Sequence, residues 1–271
     1  MATMSIGKAW EEAVAFVARE ATLLFPVALL FVALPGLILQ EMMPPELQAW
    51  FAQPKPDAIP AMPPGFGLAM LLTIILIWFG SLTLFALALR PGISVGEALR
   101  LSFARLPVLI GTALVVVVAV AVIFIAAALV GVVASLASKQ LAAAAGLLLG
   151  FGLAGIVFFA SIRLVLLNPV VIDTRLGVMD SLRQAWALTR GYFWRLFGFL
   201  IIVMLLSTIA GSAAQAIIGS LAGLAGGADA ARLAGGLAGA AVSSIAQVYM
   251  LVMLARLYRQ AQPQDVTDIF S

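Results

Sequence analysis

Cysteine and histidine are both absent from the 271 residues. Their absence removes disulfides, thiol chemistry, the usual zinc sites and histidine acid–base catalysis together. Charge is also scarce: Asp, Glu, Lys and Arg make up 10% of the chain, against about 25% in an ordinary soluble domain. No pair of carboxylates falls within the apolar runs, which argues against a carrier coupled to protons through Asp or Glu. No basic cluster with interleaved aromatics forms a separate face, so nucleic acid is not an expected partner. The residues call for no cofactor, no metal and no enzymatic activity.

What is present is apolar. Hydrophobic residues make up 64% of the chain and the mean hydropathy is +1.16, more apolar surface than a soluble fold can hide. Charge-free runs cover 21–40, 58–89, 106–138, 140–162, 196–228 and 233–255. Each reaches the ~20 residues that a helix needs to cross a bilayer core of about 30 Å. Runs such as LVVVVAVAVIFIAAALVGVV do not alternate apolar with polar, which excludes transmembrane strands. Six transmembrane helices are therefore expected. The first run follows Glu11, Glu12 and Glu20 and lacks a short basic leader, so it reads as a span and not as a removable signal.

With six spans, twelve of the fifteen Lys and Arg residues fall on one side; Lys55, Lys139 and Arg232 fall on the other. The positive-inside rule then puts both termini in the cytoplasm, here of a bacterial inner membrane. The loop MMPPELQAWFAQPKPDAIPAMPPG (42–65) is expected on the outside, extended or irregular because of its prolines. Tyr192, Phe193, Trp194 and Arg195, with Trp186 just before them, have the composition of a headgroup-level anchor.

The stretch SVGEALRLSFAR (94–105) interrupts the apolar runs. Val95, Ala98, Leu99, Ser102, Phe103 and Leu106 form one small-to-apolar helical stripe, and Ser94 with Glu97 fits a capping box. Adding 83 gives Val178, Ser181, Leu182, Ala185, Trp186 and Thr189. Subtracting 89 gives Ile6, Ala9, Trp10, Ala13, Val14 and Val17. The chain thus divides into units 1–89, 90–173 and 174–260 within one membrane domain, followed by a tail at 261–271. Each unit is a cytoplasmic amphipathic interfacial helix followed by a helical hairpin, giving pseudo-threefold parallel repeats. Convergence on a common interfacial pattern is the alternative origin. The stripes are expected to face lipid, with basic residues near phosphates, around a centre that is either open or packed solid.

The segment IRLVLLNPVVIDTRLGVMDSLRQAWALTRGYFWRLFGFLII (162–202) places an Arg before a span end. Asn-Pro, Gly, an acid, Leu-Arg, Trp and a Thr-Arg-Gly turn into the next span then follow. That order resembles the membrane domain of some bacterial glycerophosphodiester phosphodiesterases and of many stand-alone six-span proteins. In the fused relatives the chemistry belongs to a soluble barrel that uses His, Glu and a metal. With fourteen residues after Leu257 and no histidine, the resemblance implies a membrane module without the hydrolase.

Two sets of residues are candidates for function. Arg100, Arg163, Arg183, Arg190 and Arg195 are placed to meet lipid headgroups. Arg163 lies well inside a run, and is either an anchor paired with Asp173 or Asp180 or a phosphate contact. Ser212, Gln215, Ser243, Ser244 and Gln247 are the deepest polar residues, read as helix-to-helix bonds or as a substrate path. Gly211, Gly219, Gly235 and Gly239, with Gly146 and Gly150, have close-packing spacing. Pro26 and Pro35 should bend the first span. GLAGGADAARLAGG (223–236) lacks the Lys-Ser/Thr ending of a phosphate loop. The expected function is a non-enzymatic membrane protein that interacts with or organises lipids, alone or with a second copy or a membrane-protein partner. The alternative is a small transporter or channel along the repeat axis.

Overall fold

The computed structural model describes residues 5–53 and 60–262, for Ala52 the backbone alone. Lys55 and most of the expected tail lie outside the described residues. Among those described, the regular structure is entirely helical: α1 Ile6–Ala28, a π turn Leu29–Ala33, α2 Leu34–Glu41, α3 Pro45–Ala52, α4 Phe66–Leu89, α5 Val95–Ala137, α6 Lys139–Arg163, α7 Leu167–Asp173, α8 Val178–Leu188 and α9 Phe193–Ala261. Five stretches are long and apolar enough to cross a membrane: Ile6–Glu41, Phe66–Leu89, Val95–Ala137, Lys139–Asp173 and Phe193–Ala261. Strand and soluble-domain readings are excluded by the same composition that forms these helices.

The count of five, where the sequence suggests six, comes from α9. Its 69 residues are broken only at Gly227 (φ 77, ψ −168), a left-handed conformation that suits glycine. The stretches on either side fold back on each other. A Cβ built on Gly235 would lie 2.8 Å from the Gln215 carbonyl oxygen and 3.2 Å from Gly219 Cα, and one on Gly211 would lie 3.2 Å from Ser243 Oγ. The glycines at 211, 219, 235 and 239 therefore set the approach of the two α9 arms. Gly146 and Gly150 meet nothing within 4 Å and have no such role.

Proline shapes the first span. Pro26 and Pro35 cannot donate to the carbonyls of Thr22 and Phe31, and between them the Leu34 N–H reaches back to the Leu29 carbonyl, the π spacing. Upstream, Glu20 (φ −106, ψ 17) separates the amphipathic part of α1 from the span. The proline-rich loop is less irregular than its composition suggests. Pro44 as N-cap and Pro45 at the first position start α3, since proline costs no hydrogen bond there, and Leu47 buries its side chain.

The core sits at one end, where α4 is buried from Gly80 to Leu89 and α7 from Pro169 to Ile172. We call this end the base. The C-terminal part of α9 is stitched into it. Tyr258 Oη donates to Asp173 Oδ2 (3.0 Å) and Gln262 Nε2 to the same oxygen (3.2 Å). Arg259 Nη2 donates to the Leu89 carbonyl, and the Ser5 N–H donates to Gln260 Oε1 (2.8 Å). The hairpin of α5 and α6, turned at Ser138, leaves this base: between Thr112 and Leu153 only Ala134 is buried.

The three amphipathic stretches share a register. Their N-caps are Ser5, Ser94 and Gly177, at the spacing of the sequence comparison. Ala9, Ala98 and Ser181 correspond and are 0% exposed, as are Ala13, Ser102 and Ala185. These small residues pack against protein and not lipid, because only a small side chain lets a helix lie this close to the bundle. The surroundings differ along the chain. The first stretch kinks into its span at Glu20, the middle one continues through Pro107 without a break, and the third is the separate helix α8.

Candidate functional site

Of the five candidate arginines the fold brings three together. Arg163 ends α6, Arg183 lies on α8, and Arg190 lies in the turn after it. With Leu164, Leu182, Trp186 and Ala187 they line a cavity of about 670 Å³ at the base. Arg100 is exposed on α5 and Arg195 is exposed in the first turn of α9, its guanidinium 6.0 Å from the Tyr192 ring; neither lines the cavity.

Arg163 has the unusual environment. It is 9% exposed, and its guanidinium lies 4.8 Å from the Trp186 ring centre and 5.7 Å from that of Phe159. Thr189 accepts a long hydrogen bond from Arg163 Nη1 (3.5 Å) and donates to the Arg163 carbonyl (2.9 Å), while Arg163 Nε is buried with no partner. The carboxylates considered for it are engaged elsewhere. Asp173 accepts from Tyr258 and Gln262, and Asp180 pairs with Arg183 at 3.4 Å. A buried cation of this kind normally has a carboxylate. The ring faces of Trp186 and Phe159 supply part of the missing compensation, and the planar guanidinium is suited to a phosphate oxygen pair.

The aromatics around it are continuous with the start of α9. Phe159 packs on Trp186 and Phe193, and Phe193 on Trp194 and Phe197. Trp186, read from sequence as an anchor, is thus also the stacking partner of Arg163. Thr189 was visible only as one member of a stripe. Its role needs the C-terminal ends of α6 and α8 brought together.

All five polar candidates, Ser212, Gln215, Ser243, Ser244 and Gln247, line a second cavity of about 510 Å³ between the first span and the two α9 arms. Sequence reasoning missed three of its polar members: Gln40, at the end of α2, and Ser207 and Thr208. Ser244 and Thr208 return their hydroxyls to the carbonyls one turn earlier. Of the five candidates, Ser244 thus spends its hydroxyl within its own helix and not on a helix-to-helix bond. Among the described residues no group of three or more Asp and Glu side chains lies close enough to hold a metal.

Long apolar helices, a hydrogen-bonded base and a buried arginine facing a cavity define a membrane-embedded helical protein with a basic pocket at one end. The chain belongs to the family described as Domain of unknown function (DUF7847), whose model matches residues 4–261. No curated protein and no solved structure matches it.

Proposed function

We propose that this protein is a non-enzymatic, polytopic protein of the bacterial inner membrane that binds and organises lipids, holding a phosphate-bearing headgroup at the base. In this reading α9 supplies two spans, giving six in three hairpins, each introduced by an amphipathic helix. The matched N-caps and the matched buried pairs support three parallel repeats. The base, which carries most of the arginines, is the cytoplasmic side, with both termini there. A membrane module of this kind fits the resemblance to glycerophosphodiester phosphodiesterase membrane domains. The observation that carries the reading is Arg163, nine-tenths buried, with no carboxylate partner among the described residues, and facing a cavity shared with two more arginines.

The test uses the full chain in nanodiscs, titrated with dioleoylphosphatidylglycerol against dioleoylphosphatidylcholine. Arg183→Ala with Arg190→Ala should weaken retention of the anionic lipid about thirtyfold, at ~1 kcal/mol per arginine, with insertion unchanged. Arg100→Ala, outside the cavity, should leave the pocket intact. Equal retention by the double variant and by Arg100→Ala would set the pocket aside.

A further inference from the structure

The second cavity differs from the arginine pocket in both its lining and its place. It follows the seam between the two α9 arms. Its polar part, nearer the Gly227 turn, carries the carboxamides of Gln40 and Gln215, with Gln247 where it narrows towards the base; among the described residues none of the three side chains has a hydrogen-bond partner. Along the same seam towards the base it continues into a smaller space of about 220 Å³. That space shares Ser207, Thr208, Ser243 and Gln247 with the first, and is otherwise lined by Val203, Met204, Ala246 and Met250. The groove therefore has a polar end and an apolar end.

Three features limit what can fill it. A carboxamide offers two donors and an acceptor, and Gln40 and Gln215 are exposed along the groove, so the polar end offers several hydrogen bonds to an occupant. Among the described residues no charged side chain lines the groove. Glu41 and Arg232, next to its polar end in sequence, engage each other at 3.8 Å, so an ionic headgroup would find no counter-charge. The apolar extension suits a hydrocarbon chain better than water or a small polyol.

We propose that this groove binds an amphiphile with an uncharged, hydroxyl-bearing headgroup, the hydroxyls on Gln40, Gln215 and Gln247 and the chain along Met204 and Met250. The two sources of that chemistry are a diacylglycerol and an uncharged glycolipid. The site is independent of the arginine pocket.

Native mass spectrometry of the full chain, released from neutral detergent, tests it with four probes: dioleoylglycerol, monoglucosyl dioleoylglycerol, dioleoylphosphatidylglycerol and glycerol. One or both neutral lipids should be retained, and which one identifies the headgroup; glycerol should not be retained. Gln215→Leu with Gln247→Leu should reduce that retention at least tenfold, the loss of about two hydrogen bonds. Ala246→Phe, which fills the apolar end and leaves the carboxamides untouched, should do the same. Arg183→Ala with Arg190→Ala should leave neutral-lipid retention unchanged, which separates this site from the headgroup pocket. The proposal is overturned if neither neutral lipid is retained, or if retention survives both groove variants. It is equally overturned if the glutamine variant abolishes a dimer that carries no neutral lipid, since a second copy of the chain then fills the groove.

Discussion

Replacing Arg163 by methionine separates a structural arginine from one held ready for an anion. Methionine keeps an unbranched apolar stem and removes the charge and its donors. Burying a guanidinium costs several kcal/mol even after relaxation, and the unpartnered Nε adds about 1–3 kcal/mol. On the other side stand two ring contacts, together worth about 2–3 kcal/mol. A favourable position at the C-terminus of α6 adds about 0.3–1 kcal/mol. The Thr189 bond at 3.5 Å is at the limit of hydrogen bonding and contributes little. The balance is a deficit of a few kcal/mol, which a phosphate in the cavity would offset. Arg163→Met should therefore leave stability in lipid-free micelles unchanged or raise it by up to about 2 kcal/mol. Thermal unfolding with and without dioleoylphosphatidylglycerol gives the second half of the comparison. At lipid a hundredfold above Kd the parent protein should gain about 2.7 kcal/mol. A variant with thirtyfold weaker affinity should gain about 0.9 kcal/mol. A variant that loses more than about 2 kcal/mol without lipid, yet gains the same increment with it, would show that Arg163 is a strut and refute the reasoning.

Two further outcomes follow from backbone geometry. Gly235→Ala places a methyl 2.8 Å from the Gln215 carbonyl oxygen and should force the α9 arms apart at a cost of about 1–3 kcal/mol. Gly236→Ala, with nothing within 4 Å, should be neutral or stabilising by up to ~1 kcal/mol; equal melting temperatures for the two variants would contradict the close approach. Ser94→Ala removes the reciprocal cap, in which Ser94 Oγ accepts from the Glu97 N–H (3.2 Å) and Glu97 Oε2 accepts from the Ser94 N–H (3.0 Å). It should cost about 1 kcal/mol and speed hydrogen exchange in the first turn of α5; unchanged exchange there would mean that packing of Ala98 and Ser102 alone sets the helix start.

Much of this protein follows from composition and spacing alone. A charge-free apolar run of 20 residues has no other low-energy state in a bilayer than a helix, because its backbone must bond internally; hence the long helices and the all-helical class. The periodicity of 94–105 and its counterparts located three helix starts, and the capping box at Ser94 and Glu97 was legible because capping is a local interaction between residues three apart. The polar candidates were legible for a similar reason, since a Gln or Ser in an apolar run stands out whatever the fold.

Tertiary structure decided which of those residues act together. Arg163 and Arg183 are twenty residues apart, and no local rule shows that α6 and α8 meet, that Thr189 and Trp186 complete the site, or that Asp173 is taken by Tyr258 from 85 residues away. The same holds for the second groove, where Gln40 joins Gln215 and Gln247 because glycines at 211, 219, 235 and 239 let the α9 arms close while the proline-bent first span lies along them. The burial of the small stripe residues was likewise unreadable from sequence: a stripe of Ala and Ser can face lipid or protein with the same periodicity. Packing distances, and not the pattern, settle that choice. Side-chain spacing along a helix is fixed by the chain, whereas the partner that faces it depends on how closely two backbones can approach.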